Sequence, residues 1–138
     1  MLTEPPESAP NYTLHALMQL RLTMNIQTWA DTIEVEHRLK NKNIADIYFT
    51  WGGDQWIVEV KSEYKMSLIE NAIGKYWSQC DYLLFAAPLT KIRESAVKQM
   101  VTWDNESLGK VGILGIGPTE IELLRAPQRL RRKTGSRR

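Results

Sequence analysis

Three side chains in this sequence are of the right types and spacing to do chemistry together: Asp46, Glu59 and Lys61. They flank Gly52-Gly53, in the runs Ile44-Ala-Asp-Ile-Tyr-Phe-Thr-Trp51 and Asp54-Gln-Trp-Ile-Val-Glu-Val-Lys61. Two adjacent glycines supply the positive φ angles that a two-residue hairpin turn needs. With them as the turn, Trp51 pairs with Asp54 and the numbers of every cross-strand pair sum to 105. Asp46 then lies opposite Glu59, and Lys61 shares their face because it is two residues further along. Carboxylates so placed, at about 5 Å between β-carbons, repel each other. Burial on apolar strands disfavours their charged forms further. A divalent cation removes the penalty, since Mg²⁺ prefers oxygen ligands and takes one or two carboxylates with substrate phosphate. A lysine beside such a cluster can hold a nucleophilic water or steady the charge on a phosphate. Taken singly, each residue reads as a strand end, a solvated side chain or a plain turn. The set in register points to a metal site.

The elements that must position this set follow from periodicity. Leu14, Leu17, Met18, Leu20 and Met24 recur at helical spacing, which predicts one long amphipathic helix over 11–31, capped by Asn11 or Thr13. Thr32 to Leu39 alternates and is β-branched, so it reads as a strand. With a short loop around Asn41, pairs between 32–39 and 44–51 sum to 82 and bring Glu36 opposite Asp46. A two-residue slip brings Glu34 there instead, and strand parity does not choose between them. A second helix is expected over 67–79, with Leu68, Ile69, Ala72, Ile73 and Tyr76 inward. Asp81 to Ala87 is nearly all apolar and stopped by Pro88, as suits a strand buried on both faces. A helix over 91–101, a strand over 111–115 and a partner strand over 121–124 complete the order. Three antiparallel strands, a crossover helix and a further strand indicate an α/β domain with a mixed sheet and flanking helices.

Composition bounds the rest. A chain of 138 residues, 25% charged and 43% hydrophobic, has the size and make-up of one globular domain. The single cysteine, Cys80, excludes an intramolecular disulfide and any four-Cys or Cys/His zinc site. No apolar run approaches the roughly 18 residues of a membrane span, and the first residues lack the pattern of a secretory signal. The expected setting is the cytoplasm, with no membrane contact. Residues 1–10, with three of the six prolines, are expected to form a disordered leader, and 11–124 the folded domain. Seven of the 18 basic residues and none of the 16 acidic ones lie from Arg125 onward, so the body carries a net −5 and 125–138 is a basic tail. Such tails commonly contact phosphates.

Asp46 followed by a hairpin and Glu59-Val60-Lys61 resembles the PD-(D/E)XK nuclease superfamily, with Ala45 where the family name has proline. Within it, the chain is similar to the MmcB-like group of bacterial DNA-repair proteins. That likeness rests on Glu36 through Asp46, on Ile57-Val-Glu-Val-Lys-Ser62, and on Tyr76 with Cys80-Asp81 and Leu84-Phe-Ala-Ala-Pro88. The Lys-Trp pair usual ahead of the tyrosine is missing: Ala72 and Ile73 stand there, with Lys75 and Trp77 nearby. The resemblance implies a restriction-endonuclease-like core: a helix, three antiparallel strands, a helix and a strand. It implies that Asp46, Glu59 and Glu36 bind Mg²⁺ or Mn²⁺ with the Val60 carbonyl, and that Lys61 orients or activates the attacking water. The activity implied is endonucleolytic hydrolysis of DNA in repair or recombination, with DNA as substrate and a homodimer or repair and recombination proteins as further partners. Lys75 and Gln79, four apart on one helix face, would offer polar contacts to the site or the phosphate backbone. Arg129, Arg131, Arg132 and Lys133 would add phosphate contacts from the tail. The alternative reading is a catalytically inactive nucleic-acid-binding or assembly module on the same fold. Trp51 and Trp56 beside the turn either stack on bases or pack on neighbouring elements. His15 and His37 read as isolated, not as ligands.

Overall fold

The computed structural model describes residues 11–101 and 106–130. The leader over 1–10 and the tail residues Arg131, Arg132 and Lys133 lie outside them. Six strands form one mixed sheet whose spatial order is the chain order: β1 (Thr32–Arg38), β2 (Ile44–Trp51), β3 (Asp54–Val60), β4 (Tyr82–Pro88), β5 (Gly112–Ile116) and β6 (Ile121–Arg125). β1, β2 and β3 are antiparallel neighbours, β3–β4 and β4–β5 pair in parallel, and β6 returns antiparallel to β5. Among the described residues, four helices complete the order: α1 (Asn11–Ile26) before β1, α2 (Met66–Tyr76) before β4, and α3 (Leu89–Val101) with the one-turn α4 (Glu106–Gly109) before β5. The chain is therefore an α/β protein, and among the described residues no helix is long and apolar enough to cross a membrane.

The hairpin between β2 and β3 forms as its glycines dictate. Gly52 and Gly53 have φ of 60° and 86°, and Trp51 pairs with Asp54. Both angles are left-handed, where a Cβ is strained. A Cβ on Gly53 would meet nothing within 4 Å, so the cost of adding one is conformational alone. Gly53→Ala is expected to lower unfolding stability by roughly 1–2 kcal/mol, read as a lower urea midpoint at unchanged m-value; an unchanged midpoint would show that the turn relaxes freely.

Helices cover the sheet unequally. On one face Met18, Leu22 and Ile26 of α1 pack on Ile47, Phe49, Val58, Val60 and Leu84. On the other, Ile69, Ala72 and Tyr76 of α2, Ile92 of α3 and Leu108 of α4 pack on Ile57, Leu83, Phe85 and Ile113. The inward set expected for α2 holds, although the helix stops at Tyr76. The expected stripe of α1 is misphased. Leu14, Leu20 and Met24 are exposed, while the buried line runs at Met18, Leu22 and Ile26. A single helix lying on a flat sheet needs only a narrow stripe at i, i+4, i+8, and several apolar residues fall outside it. The helix ends at Ile26, where Trp29 and Ala30 donate backbone N–H bonds back to the Ile26 carbonyl and close the turn.

Two other boundaries move. Pro88 does not stop the apolar strand but ends it inside the ladder, opposite Ile116, with α3 starting at Leu89. Proline has no N–H to give to the ladder, and here it stands where β4 passes directly into α3. The basic tail does not begin at Arg125, which closes β6. Gln128 donates its N–H to the Lys110 carbonyl and Leu130 donates to the Asp81 carbonyl, so residues up to 130 belong to the packed body.

Candidate functional site

The site lies where β2 enters the sheet and β3 leaves it, between α1 and α2. The β2–β3 ladder follows the expected register from Trp51↔Asp54 to Ile47↔Val58 and ends there, one pair short of Asp46 and Glu59. The β1–β2 ladder also follows its expected register, from Thr32↔Thr50 to Arg38↔Ile44, but omits Glu36 and Asp46. Glu36 has a φ of 55°, a left-handed conformation that interrupts the pleat. Beyond it both strands change face. Ala45 joins the core under α2, as does Tyr48, on which the His37 ring stacks at 4.4 Å, while Ile47 and Phe49 pack under α1. Strict alternation would have put Asp46 on the face of Tyr48, directly across from Glu59. Ala45 takes that place, and the Asp46 carboxylate turns to the backbone of β3 and toward α1.

Asp46 is held from three directions. Its Oδ2 accepts the Val60 N–H at 2.8 Å, its Oδ1 lies 3.5 Å from His15 Nε2 of α1, and its carbonyl accepts from Gln19 Nε2 at 2.8 Å. Burial, then the charge of Glu59, push its carboxyl above the usual carboxylate range, against the pull of the Val60 N–H and of His15. Glu59 enters from the α2 side with only 4% of its side chain exposed. Its Oε1 lies 2.9 Å from the Tyr76 hydroxyl, which also sits 3.1 Å from the Ile44 carbonyl. Its Oε2 lies 3.4 Å from Lys75 Nζ and 3.5 Å from Lys61 Nζ. Burial and the Glu59 charge raise the Tyr76 hydroxyl far above its ordinary value, so it serves Glu59 as a donor and not as an ion. The arrangement is two acids on neighbouring strand ends, one on a backbone N–H and a histidine, the other flanked by two ammonium groups and a phenol.

The expected residues are distributed as follows. Asp46, Glu59 and Lys61 lie at one end of the β2–β3 pair, but the expected common face holds for Glu59 and Lys61 alone, because the Asp46 carboxylate turns to the Val60 N–H and to His15 of α1. Lys75 joins them, engaged with the Glu59 carboxylate. Val60 contributes its N–H to Asp46. Glu36 does not join: it is exposed, and the charges acting on Asp46 are those of Glu59 and His15. Its expected role as third acid is corrected by the left-handed bend at its own backbone. Glu34, the alternative, pairs with His37 at 2.6 Å on the exposed side of β1. Among the described residues no group of three or more His, Cys, Asp or Glu is clustered to hold an ion. Gln79 lies in the turn after α2 and donates its side-chain amide to Ser78 Oγ at 3.2 Å. Arg129 is also corrected, because its guanidinium bonds Asp54 Oδ1 at 2.9 Å, reaches Asp81 Oδ1 at 3.1 Å and lies over the Tyr82 ring. Two carboxylates and a ring engage it, with about a third of its side chain exposed. Trp51 and Trp56 pack together with Trp29, Phe49 and Tyr82. The residue that sequence reading set aside is His15. The available signal was its i, i+4 spacing to Gln19 beside the buried line of α1, which puts both polar groups over the same strand end.

The chain matches no protein-family model and no curated protein. Among solved structures it is similar to a protein of unknown function from Silicibacter pomeroyi, at 15% identity and a TM-score of 0.55, over 99% of this chain and 81% of that one. That likeness is one of fold.

Proposed function

We propose that this chain is a metal-dependent endonuclease that hydrolyses phosphodiester bonds of DNA, on a restriction-endonuclease-like core of the MmcB-like kind. The observation that carries the reading is that two acids and an ammonium lie at the end of a β-pair built on a two-glycine turn, with the Asp46 carboxylate on the Val60 N–H and the Lys61 ammonium 3.5 Å from Glu59. The order of helix, three antiparallel strands, helix and parallel strand supports the same reading. The donors suit Mg²⁺ or Mn²⁺: hard carboxylate oxygens, with the charge of Glu59 acting against that of Asp46. Asp46 and Glu59 would hold the ion, and when bound it would neutralise developing charge and lower the pKa of an attacking water. Lys61 steadies the water and the phosphate oxygens. His15 and the Val60 N–H orient the Asp46 carboxylate, while Tyr76 and Lys75 orient that of Glu59. Repair or recombination in the cytoplasm is the setting proposed for this activity.

The alternative is a catalytically inactive module, and one observation favours it: Glu59 already has Lys61 and Lys75 as partners, which is how a purely structural ion-pair cluster looks. Metal binding separates the two. Millimolar Mn²⁺ is expected to raise the Tm of the wild type by several degrees, through its preferential binding to the folded state, and to leave Asp46→Ala unshifted. A wild type whose Tm ignores Mn²⁺ would favour the inactive module. Activity is read separately, as nicking of single-stranded, duplex and branched DNA with Mg²⁺ or Mn²⁺ present.

A further inference from the structure

On the α2 face, a cavity of about 280 Å³ opens between β1, β2 and the turn that follows α2. Its walls include His37, Arg38, Lys40, Tyr48, Gln55 and Gln79. The acids beside it are engaged. Glu34 holds His37 at 2.6 Å, and Asp81 accepts the Gln55 N–H at 2.8 Å while pairing with Arg129. The cations are not. Among the described residues neither Arg38 nor Lys40 makes an ion pair, nor does Lys42 on the same loop, and all three are exposed. The cavity therefore presents two cations without ion pairs together with an imidazole, a phenol and two amides, while burial and the charges of Glu34 and Asp81 raise the Tyr48 hydroxyl above its ordinary value. Both its walls are tied to the acid site: Asn41 of the β1–β2 loop donates to the Lys75 carbonyl at 2.9 Å, and Lys75 itself reaches Glu59.

We propose that this cavity is a phosphate-binding subsite, with Arg38 and Lys40 as its cations, which holds a nucleic-acid strand beside the acid cluster. The phosphate chemistry stands on the cavity's own charges, and the strand as its source rests on the hydrolase reading. A guanidinium and an ammonium lining a polar cavity match the oxygens of a phosphodiester, and the amides of Gln55 and Gln79 supply neutral donors on the same lining. Neither cation packs in a core or pairs with an acid, so replacing both leaves the fold intact.

The test uses the full chain in EDTA, so that nothing is cleaved, and a fluorescein-labelled single-stranded oligonucleotide followed by anisotropy across a salt series. Arg38→Gln with Lys40→Gln is expected to weaken binding about tenfold at low salt. It should also flatten the slope of log K against log salt by about 1.4, since each phosphate contact on a single strand contributes about 0.7. The charge-preserving pair, Arg38→Lys with Lys40→Arg, should keep the wild-type slope. Oligonucleotide binding that is identical in the glutamine variant overturns the strand subsite. If that variant loses binding of inorganic phosphate or a nucleoside monophosphate while oligonucleotide binding is unchanged, the site serves a free phosphorylated ligand and the strand assignment is overturned. Wild-type protein that cleaves nothing, yet shows the Arg38- and Lys40-dependent slope, sinks the hydrolase reading and leaves the subsite standing.

Discussion

On the proposed hydrolase reading, Lys61→Ala is expected to lower DNA cleavage at least 100-fold while DNA binding stays within about twofold of wild type. The lysine is part of the site but not of the scaffold. Its backbone N–H donates to the Ala86 carbonyl and continues the β3–β4 ladder, an interaction that alanine keeps. Its side chain is 37% exposed and reaches Glu59 at 3.5 Å. Removal leaves Glu59 with Lys75 and Tyr76, so the buried carboxylate retains partners and the fold does not lose a compensating charge. What disappears is the ammonium that faces solvent, where a water and a phosphate would sit. Groups of this kind contribute about 10²–10⁴ to rate, and since a single cation is a small share of the phosphate contacts, affinity changes little. The measurement is single-turnover cleavage in Mn²⁺ alongside binding in EDTA. Equal cleavage by the variant and the wild type would assign the activity to a contaminant, and equal loss of binding and cleavage would make Lys61 a phosphate contact only.

Arg129→Ala should destabilise the protein by about 2 kcal/mol, lowering Tm by roughly 6–8 °C. The guanidinium joins Asp54, at the start of β3, to Asp81, just before β4, and covers the Tyr82 ring at 5.1 Å. Asp81 is the sensitive partner, with 10% of its side chain exposed. Its other oxygen accepts the Gln55 N–H, so a buried carboxylate would be left with one neutral donor. Fully buried pairs lose about 3–5 kcal/mol when one partner is removed. A third of the arginine side chain is exposed, and solvent screening reduces that figure. Urea unfolding measures it, with Arg129→Lys recovering part of the loss by keeping one of the two ion pairs. A loss under about 0.5 kcal/mol, the scale of a solvated surface pair, would show that the C-terminal segment lies on the sheet without fastening it.

The legible parts of this protein are those governed by local rules. The turn at Gly52-Gly53 follows from the φ angles that only glycine adopts at low cost, and the register from Trp51↔Asp54 to Ile47↔Val58 follows from the turn. The inward line of α2 follows from 3.6-residue periodicity, and the apolar run of β4 from burial on both faces. The α1 stripe was less legible, because Leu14, Leu20 and Met24 satisfy the same helical spacing as the residues that are buried. Parity arithmetic placed Asp46 and Glu59 at one end of one pair of strands, and it had no means of seeing that the pleat breaks at Glu36.

The sequence by itself determined the mixed α/β order, the hairpin and the strand ends on which Asp46, Glu59 and Lys61 stand, since each depends on residues close together along the chain or on a turn of fixed length. The tertiary structure alone decided the partners of the acids. His15 comes from a helix thirty-one positions before Asp46, Lys75 and Tyr76 from one sixteen and seventeen positions after Glu59, and Arg129 reaches Asp54 across 75 positions. Helical and strand periodicities state which face a side chain takes on its own element. Where one element crosses another is set by how their faces pack, and a left-handed residue such as Glu36 resets the count between them.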